Sequence, residues 1–510
     1  MLGVLVLASF GAVGALRAQT NLPASRLVSL EDCIASALEK NFEIRMEQSN
    51  ARIATYELSG AYGSYEPVFG IGVGRSYVDQ PATFDPKKPG IDNPYELTHD
   101  TGDASISGLL PTGLRYKLGG SANLLDAQTD FRLVPDTAKL YPGGIRSTNQ
   151  YYTTAGISLR QPLLKNFWID SQRQVIAVSK QNLKISELAL RWKIMNTVSK
   201  VETTYYEWVY AQEQTRVQEK ALELAKSLLK STQQAVTNGL LPALDEKQIE
   251  SEVESATAKL YSAQQTRASH VSALKNLISD KYHDEADQVL TPSTPLSKVP
   301  TLVNRNESWL KAMDQRPDLV QARTDLERQK ILVRYRKNQL YPNLDLVGSY
   351  GVQGWSSTFG GTLDDVRDQS HPNYAYGVVL SIPLGGNQSA RSQLRATKEL
   401  REQALIGMEK LAQDILAEVD VAWMRVDSAQ KQAKATRRAR ELAEEAWHAA
   451  ESKLEYGKIT ILDLIQFQER LTTQQTAEAR ALADYNQALA KLSLSEGTLL
   501  ERHHLNIQVK

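Results

Sequence analysis

The chain has 510 residues, with 59 Lys plus Arg against 59 Asp plus Glu, and only 7% aromatics. That charge balance excludes the one-signed electrostatic footprint of a nucleic-acid-binding protein, and so few aromatics are poor material for several thick globular cores. The single cysteine, Cys33, excludes an intramolecular disulfide and a cysteine metal cluster.

In chain order, residues 1–18 (MLGVLVLASFGAVGALRA) read as a secretory signal peptide, an apolar run ending in small residues. A single membrane anchor is the competing reading. Beyond them no stretch approaches the roughly 20 apolar residues of a spanning helix. A mature chain that enters a membrane would therefore do so as strands of a closed barrel. LEDCIASALEK opens a helical pattern with Cys33 as a small buried side chain, and a further helix over about 43–64 meets Pro67. There the period becomes two: Phe69, Ile71 and Val73 alternate with glycines. Strands are expected at 66–78, within 103–124 and at 151–161, where Pro162 ends the last. The middle segment carries a hairpin signal around Pro111-Thr-Gly113, with Arg115, Lys117 and Asn123 opposite its apolar set. It either adds two barrel strands or projects as an external loop. A long helix over 171–237, a tip at 238–245 (NGLLPALD) and a helix over 243–279 follow.

The pattern then repeats. A helix over 318–339 breaks at Pro342, strands are expected at 344–352 and 374–382, and Pro383 closes the second. A long helix over 392–455, a tip at 456–463 (YGKITILD) and a helix over 461–497 complete it. The chain thus divides into two structural repeats, 19–299 and 300–510, and the longer Pro67–Pro162 interval marks an insertion in the first. Each long helix would span roughly 95–100 Å, nearly the summed length of its two shorter partners. The implied form is a rod with strands at one end and tight tips at the other.

Along the second long helix Leu405, Met408, Ala412, Ile415, Val419, Ala422, Val426, Ala429 and Ala433 recur at alternating steps of three and four, a coiled-coil seam. Tyr374, Tyr376, Val378, Leu380 and Ile382 share one strand face against Ala375, Gly377, Val379 and Ser381, the alternation a membrane barrel requires. Phe167-Trp168 and tyrosines at strand ends fit an interfacial aromatic belt. Pro67, Pro162, Pro342 and Pro383 would then sit at one level, the boundary between aqueous compartment and bilayer.

Catalytic signatures are missing. GIGVGR (70–75) falls in a strand instead of at a strand-to-helix turn. The adjacent His503-His504 pair cannot share one helix face for a metal and reads as solvated. Carboxylates read as helix-surface charge. No enzyme activity, metal or cofactor is expected.

The LEDCIASALEKNFEI start, RPDL (316–319) with YPNLDL (341–346), SIPLGG (381–386) and the two Gly-x-x-x-x-x-Asp tips, in this order within a duplication, resemble the outer membrane efflux protein (TolC) family. The resemblance implies a mainly α fold with membrane β: long antiparallel coiled-coil helices forming an α-barrel continuous with an outer-membrane β-barrel shared by a homotrimer. That barrel would hold about 12 strands, or about 18 if the hairpin joins. It implies a passive exit duct for efflux or type I secretion, with a large periplasmic part. The duct would be docked on a periplasmic adaptor (membrane fusion protein) and driven by an inner-membrane pump, with outer-membrane lipid around it and no nucleic-acid partner. It also implies a periplasmic aperture at Asp463, with Gln466 at the second acidic position, Ile459 at the basic latch position and Asp245 matching in the first tip. A ring of Asp463 carboxylates would raise the pKa of some of its members; helix capping is the competing role for Asp463 and for Asp245. Adaptor contact is expected at Gly239, Leu240 and Leu241 with Gly457, Lys458 and Ile459. The competing function is a non-conducting coiled-coil scaffold of the envelope.

Overall fold

Proline and glycine divide the chain where helix gives way to strand. The computed structural model describes residues 26–84, 91–131, 144–239, 241–296, 303–456 and 458–505. The signal segment, Leu240 and Gly457 lie outside them. In chain order the elements are β1 (Arg26–Val28), α1 (Leu30–Lys40), α2 (Phe42–Tyr62), β2 (Val68–Gln80), β3 (Thr83–Phe84), β4 (Ile91–Asp92), β5 (Tyr95–Leu109), β6 (Arg115–Asp130) and β7 (Ile145–Pro162). Next come α3 (Ser171–Thr237), α4 (Ala243–Ile278), α5 (Tyr282–Glu285), β8 (Leu290–Pro292), α6 (Arg305–Gln315) and α7 (Pro317–Asn338). The chain continues with β9 (Asn343–Ser356), α8 (Phe359–Arg367), β10 (His371–Ser381), α9 (Gln388–Glu455), α10 (Ile461–Glu496) and α11 (Leu499–Arg502).

Two compact units emerge: Met1–Glu47 with Leu190–Pro317 and Gln413–Lys510, and Gln48–Ala189 with Asp318–Ala412. Each draws on both sequence repeats. In the second unit the reason is strand pairing, since β7 of the first repeat pairs with β9 of the second, Ile157 opposite Tyr350.

The second unit holds a six-stranded antiparallel sheet in the order β10-β9-β7-β6-β5-β2. The hairpin left open by the sequence is in the sheet: β5 and β6 pair from Tyr95–Thr129 to Leu109–Arg115 and lie between β2 and β7. Gly113 closes its turn at φ +86, a backbone conformation that disfavours a side chain, and its N–H donates to the Leu110 carbonyl at 2.8 Å.

The first unit is helical, with β1 and β8 as a short parallel pair. On α3, Met195, Val198, Val201, Tyr205 and Trp208 are fully buried, and Tyr205 meets Trp208 edge-on at 5.6 Å. Small residues such as Ala481, Ala483, Ala488 and Ala490 are buried on α10, as close helix approach demands. On the α9 seam Ile415, Val419, Ala422, Val426 and Ala429 are buried, while Leu405, Met408, Ala412 and Ala433 are half-buried. No helix among the described residues is long and apolar enough to cross a membrane.

Candidate functional site at the helix tips and strand ends

At the second tip Thr460 caps α10 and Asp463 occupies the third helical position. The Thr460 hydroxyl accepts from the Asp463 N–H at 3.2 Å, and Asp463 Oδ2 accepts from the Thr460 N–H at 2.9 Å and its hydroxyl at 2.7 Å. This reciprocal box satisfies helix-start donors that would otherwise be orphaned. The cap residue is therefore Thr460, not Asp463 as the capping alternative held; Asp463 closes the box. Hydrogen bonds from the Thr460 side chain and backbone hold the Asp463 carboxyl below its usual 3.8, so the chain's own contacts lower this pKa where a ring would raise it. The box is complete above that value and is lost as pH falls through the depressed one. Gln466 is exposed one turn on, Lys458 is exposed with its ammonium 6.0 Å from the Tyr456 ring, and Ile459 is half-buried.

The first tip is built differently. Gly239 has φ +74 with open space around it, so the glycine serves the backbone reversal. Pro242 caps α4 without a side-chain bond. Asp245 at the third position cannot close a box, because a proline N-cap has no N–H to donate. The capping role expected of Asp245 is therefore not made; its carboxylate adds negative charge to the first turn beside Glu246. Leu241 is half-buried and Leu244 is 66% exposed.

In the sheet unit Pro67 immediately precedes β2, Pro162 ends β7 opposite Asp345, Pro342 immediately precedes β9, and Pro383 lies just past β10. All four stand at the end of the sheet where strands join helices. Cross-strand register carries Val68 through Ser107, Lys117 and Ser158 to Ser349, well inside β9; such a stagger is what tilted barrel strands require. One face presents Phe69, Ile71, Val73, Tyr374, Tyr376, Val378 and Leu380, all exposed. The other presents glycine, serine and charged side chains. There Arg160 donates to Asp345 Oδ2 from Nε at 2.9 Å and from Nη2 at 2.5 Å.

Sequence patterning missed two ionic centres in the helical unit. Glu202 on α3 is fully buried and pairs with His503, so this histidine is not solvated and this carboxylate is not surface charge. A buried carboxylate demands a partner, here 301 positions away in sequence. Glu207 accepts from Arg480 and Gln487, each at 2.8 Å. Burial pushes its pKa up, but these bonds outweigh burial and leave the carboxyl below its usual range. Neither centre carries a local signal. The Thr460-x-x-Asp463 spacing does.

Long helices joined through prolines to an antiparallel sheet with one greasy face are shared with one class of protein, transport channels of the outer membrane. The family described as outer membrane efflux protein matches residues 115–279 and 310–498, two segments in keeping with an internal duplication. The outer membrane efflux protein BepC of Brucella suis is 22% identical over 334 residues, 65% of this chain and 69% of that protein. The CmeC outer membrane channel of Campylobacter jejuni is similar in fold, with TM-score 0.63 and 15% identity over 92% of this chain and 86% of that one. The open-state MtrE outer membrane channel of Neisseria gonorrhoeae gives TM-score 0.64 and 16% identity over 92% and 89%. The chain belongs to the outer membrane efflux protein family. It is an outer-membrane efflux channel with a periplasmic helical part, and the scaffold reading falls.

Proposed function

We propose that three copies of this chain close one transmembrane β-barrel and that their helices form the periplasmic conduit of a tripartite efflux or type I secretion system. The observation that carries this is the sheet's two edges: β2 and β10 each have a neighbour on one side only among the described residues. Unpaired backbone groups are costly in lipid, so the edges demand partners. Six strands alternate in direction, so β10 of one copy meets β2 of the next antiparallel. Three copies, the number implied by the family resemblance, make about 18 strands, within the outer-membrane range. The four prolines then mark the membrane boundary.

The tips serve as the docking surface for a periplasmic adaptor coupled to an inner-membrane pump. Exposed Leu244 and Tyr456, the latter 77% exposed, support this reading, because they offer a partner apolar surface beside Gly239, Leu241, Lys458 and Ile459. Asp463 and Gln466 line the narrowest point, and the tip helices rotate outward to open it. Asp463→Asn removes the charge but keeps an acceptor for the cap. In planar bilayers it is expected to lower cation preference and to change single-channel conductance; unchanged values would exclude Asp463 from the aperture.

A further inference from the structure

The inserted hairpin changes the chemistry of the sheet's polar face as well as its width. Across one register that face reads Gly70, Ser105, Gly119, Gly156, Gly351 and Asn373. A Cβ at Gly119 would lie 2.5 Å from the Ala104 carbonyl oxygen, and one at Gly156 would lie 2.6 Å from that of Tyr350. Such a row of bare backbone is where a sheet bends towards its own face, and a hollow of about 530 Å³ lies along it.

On the helix side of that row, cations gather. Lys117 stands between Ser107 and Ser158, and one step nearer the helices Arg115 stands directly opposite Arg160. Arg115, Lys117 and Arg160 line a second hollow of about 420 Å³ with Ser158, Ser349 and Ala375. Asp345 is the only carboxylate on this side of the row among the described strand residues of the face. It is taken by Arg160, with its side chain just 9% exposed. Arg115 and Lys117 have no anionic partner among the described residues. Asp103, also on the polar face, lies beyond the glycine row opposite Ser121.

We infer that Arg115 and Lys117 of the inserted hairpin, beside the Asp345-neutralised Arg160, form a cationic girdle that selects anionic solutes at the helix-side mouth of the barrel. The inference rests on the reading that copies close the sheet with its polar face inward. The apolar opposite face supports that orientation, since only it suits lipid. Unpaired cations above a low-dielectric wall concentrate counter-ions and repel like charge, and repetition around the barrel turns two side chains into a ring.

The test is the reversal potential of the full-length protein in planar bilayers under a potassium chloride gradient. Arg115→Gln with Lys117→Gln is expected to lower the chloride-to-potassium permeability ratio by about threefold or more. Asp345→Asn, which releases Arg160, moves the ratio the other way, and Arg115→Lys leaves it unchanged. Each variant is made in the Asp463→Asn background, so the fixed charge of the aperture is absent from every comparison. A conducting double variant with the ratio of that background overturns the girdle while leaving the barrel standing, as does a fall in the ratio for Asp345→Asn. Native protein that does not fractionate with the membrane as a detergent-requiring oligomer overturns the closed barrel and the girdle with it. Lys117 is exposed, so Lys117→Gln alone reports selectivity, with a smaller shift of the same sign, should the double variant fail to assemble.

Discussion

Glu202 shows how much a single residue can depend on distant chain. Its Oε1 meets His503 Nε2, while Oε2 has no hydrogen-bond partner. Its neighbour Tyr206 is pushed up to about 12, by burial first and by the Glu202 charge second. Removing the histidine strands a buried carboxylate, a change that costs about 3–5 kcal/mol. His503→Ala is therefore expected to lower the denaturant midpoint of the detergent-solubilised protein, and adding Glu202→Gln should recover part of the loss. An unchanged midpoint in His503→Ala would mean the pair contributes nothing. Nothing near Glu202 or His503 in sequence announces the pairing, because Glu202 sits in an ordinary helical pattern and His503 falls just past the last helix. The second tip is the opposite case: Thr460 and Asp463 bond across three positions, and the spacing alone is legible.

At the scale of elements, the break between α6 and α7 is held by groups from three other helices, two of them side chains and one a backbone carbonyl. Arg316, only 4% exposed at its side chain, donates to Glu418 at 2.7 Å and to the Ser495 carbonyl at 3.3 Å. Its guanidinium lies 4.9 Å from the Trp192 ring centre. Gly497, which ends α10 at φ +80, comes so near that an added Cβ would be 3.0 Å from the Arg316 nitrogen. Gly497→Ala strains the backbone and crowds this junction together, so it is expected to destabilise the helical unit by more than about 1 kcal/mol, read as a lower denaturation midpoint. A neutral result would show that the junction relaxes. Sequence marked this region through Arg316-Pro317, yet the expected helix began at 318. The preceding helix α6 went unassigned because it is only 11 residues long and the residues it buries, Ser308 and Ala312, are small rather than large and apolar.

For the whole molecule, the decisive element is the β5–β6 hairpin. Strands inserted in a pair preserve alternation, since β2 and β7 run in opposite directions with or without β5 and β6 between them. Deleting residues 95–130 is therefore expected to leave a membrane-inserted channel. Its barrel would fall from about 18 to about 12 strands, with a lower chloride-to-potassium permeability ratio. Loss of membrane insertion would contradict a wall in which these strands are added as a pair.

What the sequence determined by itself is whatever repeats locally: helix and strand periods, the prolines between them, the heptad seam and the duplication. Each follows from neighbours a few positions apart, and periodicity records such neighbours. Tertiary structure alone decided that the hairpin enters the sheet, that Arg115 faces Arg160, and that Glu202 meets His503. Those outcomes depend on which distant edges and buried charges must satisfy one another, and hydrogen bonding and desolvation enforce such pairings without regard to separation along the chain.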